Sequence, residues 1–331
     1  MQDHEVVAIG NAIVDIIGRC DDAFLLAHGC SKGTMRLLDA AAAARLYAAI
    51  GPAVEISGGS AANTMVGVAS LGGRAGFVGK VADDAFGEVF RHDIRAAGVT
   101  FATPPAPSGS EPTGRCLVLV TPDGQRTMST FLGVSPELGA DEVDAALIAS
   151  ARILYLEGYL FDRPQAKAAF HEAAAVAAKA GCKVALSLSD PFCVDRHRSA
   201  FRALARAHVD ILLANEAEIL SLYETSSFAA AAAQAGGDVA LAALTRSEKG
   251  SVILHGGQSI EIGADLVARV VDTTGAGDLF AAGFLYGIAT DRGPERAARL
   301  GSLAAAEIIG HVGARPEVDL RALARARGLL S

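Results

Sequence analysis

The chain has no run of five or more basic residues, and its formal net charge is −8 over 331 residues. Nucleic-acid backbones recruit proteins through clustered Lys and Arg, so a nucleic-acid partner is not expected. No 18-residue apolar stretch is free of charges and glycine breaks, so no transmembrane helix and no membrane partner are expected. Cysteine is sparse: Cys20, Cys30, Cys116, Cys182 and Cys193 are scattered, without a C-x-x-C pair. An odd number lacking metal spacing indicates reduced thiols in a cytoplasmic protein. The opening "MQDHEVVAIGNAIVDII" has no basic n-region and does not read as a signal peptide.

Apolar residues are plentiful, at 51%, enough for one large domain or a core with a small accessory lobe. The runs "VVAIGNAIVDII" (6–17), "AGFVGKV" (75–81), "ARILYLEG" (151–158), "KVALSLS" (183–189), "VDILLAN" (209–215) and "LAALTRS" (241–247) read as strands. Between them, 59–72, 84–98, 164–181 and 201–208 read as helices. Strands alternating with helices predict an α/β fold with a mainly parallel sheet covered on both faces. The alanine-rich runs near 40–50 and 228–237 predict solvent-facing helices. The stretch 100–132 departs from this rhythm. "GRCLVLVTPDGQRTMSTF" predicts a hairpin turning at Pro122-Asp123-Gly124. With "KGTMRLL" (32–38), it suggests a small β lobe drawn from about 15–50 and 105–132 of a single 1–331 domain.

The stretch "DTTGAGDLFAAGF" (272–284) raises a chemical question. It follows "LVARVV", which reads as a strand, and opens a helix. Glycines at a helix start leave backbone N–H groups pointing outward, where the helix dipole favours an anion. A Walker A loop is excluded because no Lys is present. A dinucleotide fingerprint is excluded because Phe280 stands where its last glycine should be. Asp278 beside this turn reads either as a helix N-cap or as a base beside a transferring phosphoryl group.

These residues carry a resemblance. "DTTGAGDLFAAGF" resembles the C-terminal signature of the ribokinase-like (pfkB) carbohydrate and nucleoside kinases. "GGSAANTMVGVASLGGRAGFVGKVADDAFGEVF" (58–90) resembles their N-terminal signature. The likeness runs from about 6 to 316. It implies a three-layer α/β/α core, ATP-dependent phosphoryl transfer and a small β-sheet lid. By position, Asp278 resembles the catalytic base, and Gly275, Ala276 and Gly277 resemble the anion hole. Asn215 and Glu218 in "NEAE" match a motif that organises Mg2+ and phosphate largely through water. Thr245, Glu248 and Gly250 in "TRSEKGSV" match the stretch lining the ATP site. Asp272 and "GHVGARP" (310–316) correspond to a monovalent-cation site in some relatives. His311 and Val312 depart from the residues expected there, which leaves K+ dependence open.

An acceptor site must hold a polyol. Asn11 and Asp15 in "GNAIVD", with Gly58, Gly59 and Asn63 in "GGSAAN", offer amide and carboxylate groups suited to adjacent hydroxyls. Within the family the chain resembles adenosine kinases most, through "GNAIVDI", "YLEGYLF", "LSLSDPF" and the hairpin. That resemblance puts Arg126 where a lid arginine meets phosphate. It also implies an aromatic slot for a base, with Phe192, Tyr159, Phe161, Met35 and Phe131 as candidates. "KGTMRLL" places Thr34 and Arg36 where adenosine kinases carry other residues near the base. The expected activity is phosphorylation of a nucleoside, adenosine first. The alternatives are a sugar kinase acting on ribose or fructose and a non-catalytic nucleoside- or sugar-binding protein. Relatives with lids occur as monomers or homodimers.

Overall fold

A computed structural model describes residues 2–331, the side chain of Asp162 excepted. Among these residues the strands are β1 (His4–Ile9), β2 (Ile13–Arg19), β3 (Met35–Leu37), β4 (Ala53–Gly58), β5 (Ala75–Val78), β6 (Val99–Phe101) and β7 (Thr113–Val120). Then come β8 (Arg126–Gly133), β9 (Ala151–Glu157), β10 (Lys183–Ser187), β11 (Ile211–Asn215), β12 (Leu241–Thr245), β13 (Ser251–His255) and β14 (Gln258–Ile262). They form a nine-stranded sheet in the order β14-β13-β12-β11-β10-β9-β1-β5-β6, and a five-stranded sheet in the order β3-β8-β7-β2-β4. The large sheet is parallel from β12 to β6, while β13 and β14 run antiparallel at one edge.

A parallel sheet covered on both faces needs strands that are apolar throughout. Strand β1 shows this directly. Val6 and Ala8 face one core cluster and Val7 and Ile9 the other, all fully buried. The helices Ser60–Ser70, Ala276–Ala289 and Pro294–Ile308 cover the first face. Pro164–Ala180 and Pro191–His208 cover the second. Small residues let the first three approach closely. A Cβ on Gly283 would fall 2.4 Å from Leu300 O.

Three expectations change. "VVAIGNAIVDII" is two strands in two different sheets, β1 and β2. The break falls at Gly10, where a Cβ would lie 2.5 Å from Glu157 Oε2 and 2.6 Å from Ala61 Cβ. "LVARVV" is not a strand. Leu266 is 98% exposed and Val270 54%, and no neighbouring strand pairs with the segment. The alanine-rich helices are not wholly solvent-facing: Ala40–Ala49 buries Ala43 and Leu46, and Phe228–Asp238 buries Ala231, Ala232 and Ala235. The hairpin closes at Gly124, with φ 82°, where Gly124 N donates to Thr121 O at 2.8 Å. No helix among the described residues is long and apolar enough to cross a membrane.

Candidate active site

A cavity of about 720 Å³ opens between the two sheets. The five-stranded sheet supplies Ile13, Asp15, Met35, Val118 and Met128. The large sheet and its helix starts supply Asn11, Ser60, Asn63, Asn215 and Asp278. Residues from both ends of the chain therefore share one wall.

Gly275 starts the helix Ala276–Ala289 in the left-handed region, at φ 79°. A Cβ there would lie 2.9 Å from Ala314, so glycine is required. Asp278 is thus the third residue of the helix and not its N-cap. Its carboxylate turns away from the helix backbone. Oδ1 accepts from Ser60 Oγ at 2.6 Å, and Oδ2 accepts from Asn63 Nδ2 at 3.0 Å. Burial raises its pKa, while Ser60, Asn63 and the Arg315 charge pull it back down. Ala276 N donates to Thr273 O at 3.2 Å and is engaged in the turn. Among the described residues, the amides of Gly275, Gly277 and Asp278 in this turn donate no hydrogen bond within the protein and are open to an anion. Gly275 and Gly277 line the cavity and Ala276 does not.

The paired glycines each clear one specific atom. A Cβ on Gly58 would meet Asp15 Cγ at 2.4 Å, so Gly58 makes room for that carboxylate. Gly59 has φ 103°, and its Cβ would fall 2.1 Å from Asn11 O. Burial raises the Asp15 pKa to about 6, against the opposing charge of Arg315. Asn11 is held at both ends: Nδ2 donates to Glu157 Oε1 at 2.7 Å, and Oδ1 accepts from Ser135 Oγ at 3.1 Å. Asn63 differs, since its Oδ1 is buried without a partner and suits an incoming hydroxyl donor.

Three residues of this site escaped the sequence reading. Ser60 holds Asp278. Glu157 accepts from Asn11 N, Asn11 Nδ2 and Ala61 N, joining β1 to the start of Ser60–Ser70. Burial raises its pKa to about 7. Arg315 donates to Ser57 O, Ala62 O and Ser57 Oγ, bracing both sides of the glycine pair. Burial lowers its pKa to about 10. All three stand inside stretches whose local pattern reads as strand, helix or loop, and their partners lie 96 to 258 residues away.

At the other end of the cavity, Asn215 caps the helix Glu216–Leu222. It accepts from Glu218 N at 2.9 Å, and Glu218 returns both oxygens to Asn215 N and Nδ2. Burial raises the Glu218 pKa to about 7. Among the described residues, no cluster of three or more His, Cys, Asp or Glu could hold a metal. Asn215, Glu218 and Asp190 on one cavity wall fit a magnesium ion held mainly through water, not one caged by protein. Thr245 lines the cavity, while Glu248 and Gly250 do not. Glu248 is exposed. Gly250 has φ 82° and serves close backbone packing, its Cβ falling 2.0 Å from Ile262 O.

Of the aromatic candidates, Phe192 (74% exposed), Tyr159 and Met35 line the cavity. Phe161 does not, because it stacks on Phe201 at 4.8 Å in the core. Phe131 packs against the back of the five-stranded sheet with Leu25 and Leu46. Arg36 lines the cavity and Thr34 does not. Arg126 is neither solvated nor a cavity wall: it is buried, with Nη2 2.8 Å from Asp272 Oδ2.

Residues 49–320 match the family model of the pfkB family carbohydrate kinases. A curated relative, the ATP-dependent ribose-1-phosphate kinase of Halopiger xanaduensis, is 33% identical over 267 residues, 79% of this chain and 83% of that protein. The structure of adenosine kinase from Sinorhizobium meliloti is 52% identical with a TM-score of 0.91, covering 98% of this chain and 99% of that one. A Rhizobium etli structure described as a "probable sugar kinase protein" is 47% identical with a TM-score of 0.93, covering both chains fully.

Proposed function

The chain belongs to the pfkB family of carbohydrate kinases, and from that premise we propose that it transfers the γ-phosphoryl group of ATP to a ribose hydroxyl of a nucleoside, adenosine foremost. The observation that carries this reading is Asp278. Its carboxylate is oriented by Ser60 and Asn63 at the mouth of a glycine turn, on the same cavity wall as Asn11, Asp15 and Gly59. In the proposed reaction Asp278 takes the proton from the acceptor hydroxyl. The hydroxyl oxygen attacks the γ-phosphorus, the bond to the β–γ bridging oxygen breaks, and ADP leaves. The amides of Gly277 and Asp278 stabilise charge on the transferring group. Magnesium, when bound, neutralises the ATP phosphates, and Asn215 and Glu218 would hold it. Thr245 belongs to the nucleotide end of the cavity.

The five-stranded sheet would act as a lid that excludes water from this chemistry. Phe192, Tyr159 and Met35 offer a base more apolar contact than a free sugar could use. The resemblance to the adenosine kinase structure supports a nucleoside. The ribose-1-phosphate kinase and the Rhizobium etli protein favour a second reading, a sugar kinase of the same family. The test is ADP release with adenosine, inosine, guanosine, ribose, ribose 1-phosphate and fructose. Highest kcat/KM for adenosine supports the first reading, and highest for any sugar the second.

A further inference from the structure

Asp272 already has a cation beside it. Arg126 reaches from β8, in the five-stranded sheet, to Asp272, six residues before the catalytic aspartate, and the two side chains are only 6% and 5% exposed. Both carboxylate oxygens are engaged by backbone as well. Oδ1 accepts from Thr274 N at 3.1 Å and Oδ2 from Gly313 N at 3.3 Å. Ile309 O accepts from Val271 N at 2.8 Å and Asp272 N at 3.4 Å. In the adjoining loop His311 is engaged by other carboxylates. Its Nε2 lies 3.1 Å from Glu307, and its Nδ1 lies 3.6 Å from Glu317 and 3.5 Å from Val312 O. A bound potassium ion would need a carboxylate free to ligate it. This one already faces a guanidinium and two backbone N–H donors, so it does not fit a monovalent cation.

We propose that the Arg126 guanidinium takes the place of a monovalent cation at Asp272, so that this kinase works without potassium. The inference rests on the kinase reading above. Asp272 anchors the glycine turn through Thr274 N, and a buried charge there must be compensated. The compensating charge comes from the other sheet, so docking of that sheet and shaping of the turn are one event. Removing Arg126 would leave a buried carboxylate that a small cation could neutralise and a large one could not.

The test compares wild type, Arg126→Ala and Arg126→Lys in potassium, sodium and tetramethylammonium chloride at constant ionic strength, by turnover and by thermal melting. Wild type and Arg126→Lys should show the same melting temperature and no potassium activation. Arg126→Ala should melt lower, recover in potassium or sodium but not in tetramethylammonium, and gain turnover with the small cation on the order of tenfold. Potassium activation of the wild type, or an alanine variant indifferent to all three cations, would overturn the proposal. Should the alanine variant not fold, the wild-type comparison decides. Should no acceptor be phosphorylated in any salt, the kinase reading fails, and wild-type melting alone judges the site: a selective rise in potassium overturns it and an unchanged melt supports it.

Discussion

Ser60 donates its hydroxyl to Asp278 Oδ1 at 2.6 Å, across 218 residues of sequence. Asn63, one turn further along the same helix, donates to the other oxygen at 3.0 Å. One helix therefore sets the direction of a carboxylate carried by another. Each oxygen keeps a second lone pair for the cavity.

Asp278→Asn should abolish the base while leaving the fold intact. Its partners contribute hydrogen bonds at the cavity wall and no helix cap depends on it. Turnover should fall roughly 100-fold or more, with ATP affinity and melting temperature nearly unchanged. Near-normal turnover by coupled ADP assay would remove Asp278 from the proposed role.

Ser60→Ala should act through the same carboxylate without touching its charge. The Ser60 hydrogen bond lowers the Asp278 pKa against burial, so its loss raises that pKa further. A base must be deprotonated, so the acid limb of kcat/KM should move to higher pH. A loss of turnover of roughly 2- to 10-fold at neutral pH matches one hydrogen bond. An unmoved acid limb would mean that Ser60 does not tune the base.

Ligand-free stability should decline between about pH 5 and 7. Burial raises Glu157 and Glu218 from 4.5 to about 7 and Asp15 from 3.8 to about 6. The folded state then holds protons that the unfolded chain has released. The stability from these groups is complete below their ordinary values and is lost as pH rises through the raised ones. His4, shifted down mainly by burial, opposes them in part. Glu218→Gln should flatten the decline while preserving the helix start, because Gln also completes a capping box. Parallel melting curves for wild type and variant across this range would contradict the assignment.

Phe192→Ala should separate the two acceptor classes. The ring is 74% exposed, so its removal costs the fold little. Base stacking on an aromatic ring is worth about 1–3 kcal/mol, or roughly 5- to 150-fold in affinity. Adenosine should weaken by that factor and ribose should not. Equal losses for both would favour the sugar-kinase reading.

What the sequence determined by itself is local. The glycine turn before Asp278, the glycine pair before Ser60, the Asn215 cap and the hairpin at Gly124 follow from backbone requirements that neighbouring residues express. The α/β rhythm was legible for the same reason, since a strand buried on both faces must be apolar throughout. Where tertiary pairing decides, the pattern misleads. "LVARVV" has a strand's composition and no strand beside it. "VVAIGNAIVDII" has one strand's composition and joins two sheets. Phe161 and Phe192 are equally aromatic, yet one stacks in the core and the other lines the cavity. Only the tertiary structure set Ser60 against Asp278, Glu157 against Asn11 and Arg126 against Asp272. A buried charge or carboxylate requires compensation, but chemistry alone does not say which of many donors supplies it. That choice belongs to the packing of helices and sheets, which brings together residues that the chain keeps more than 140 positions apart.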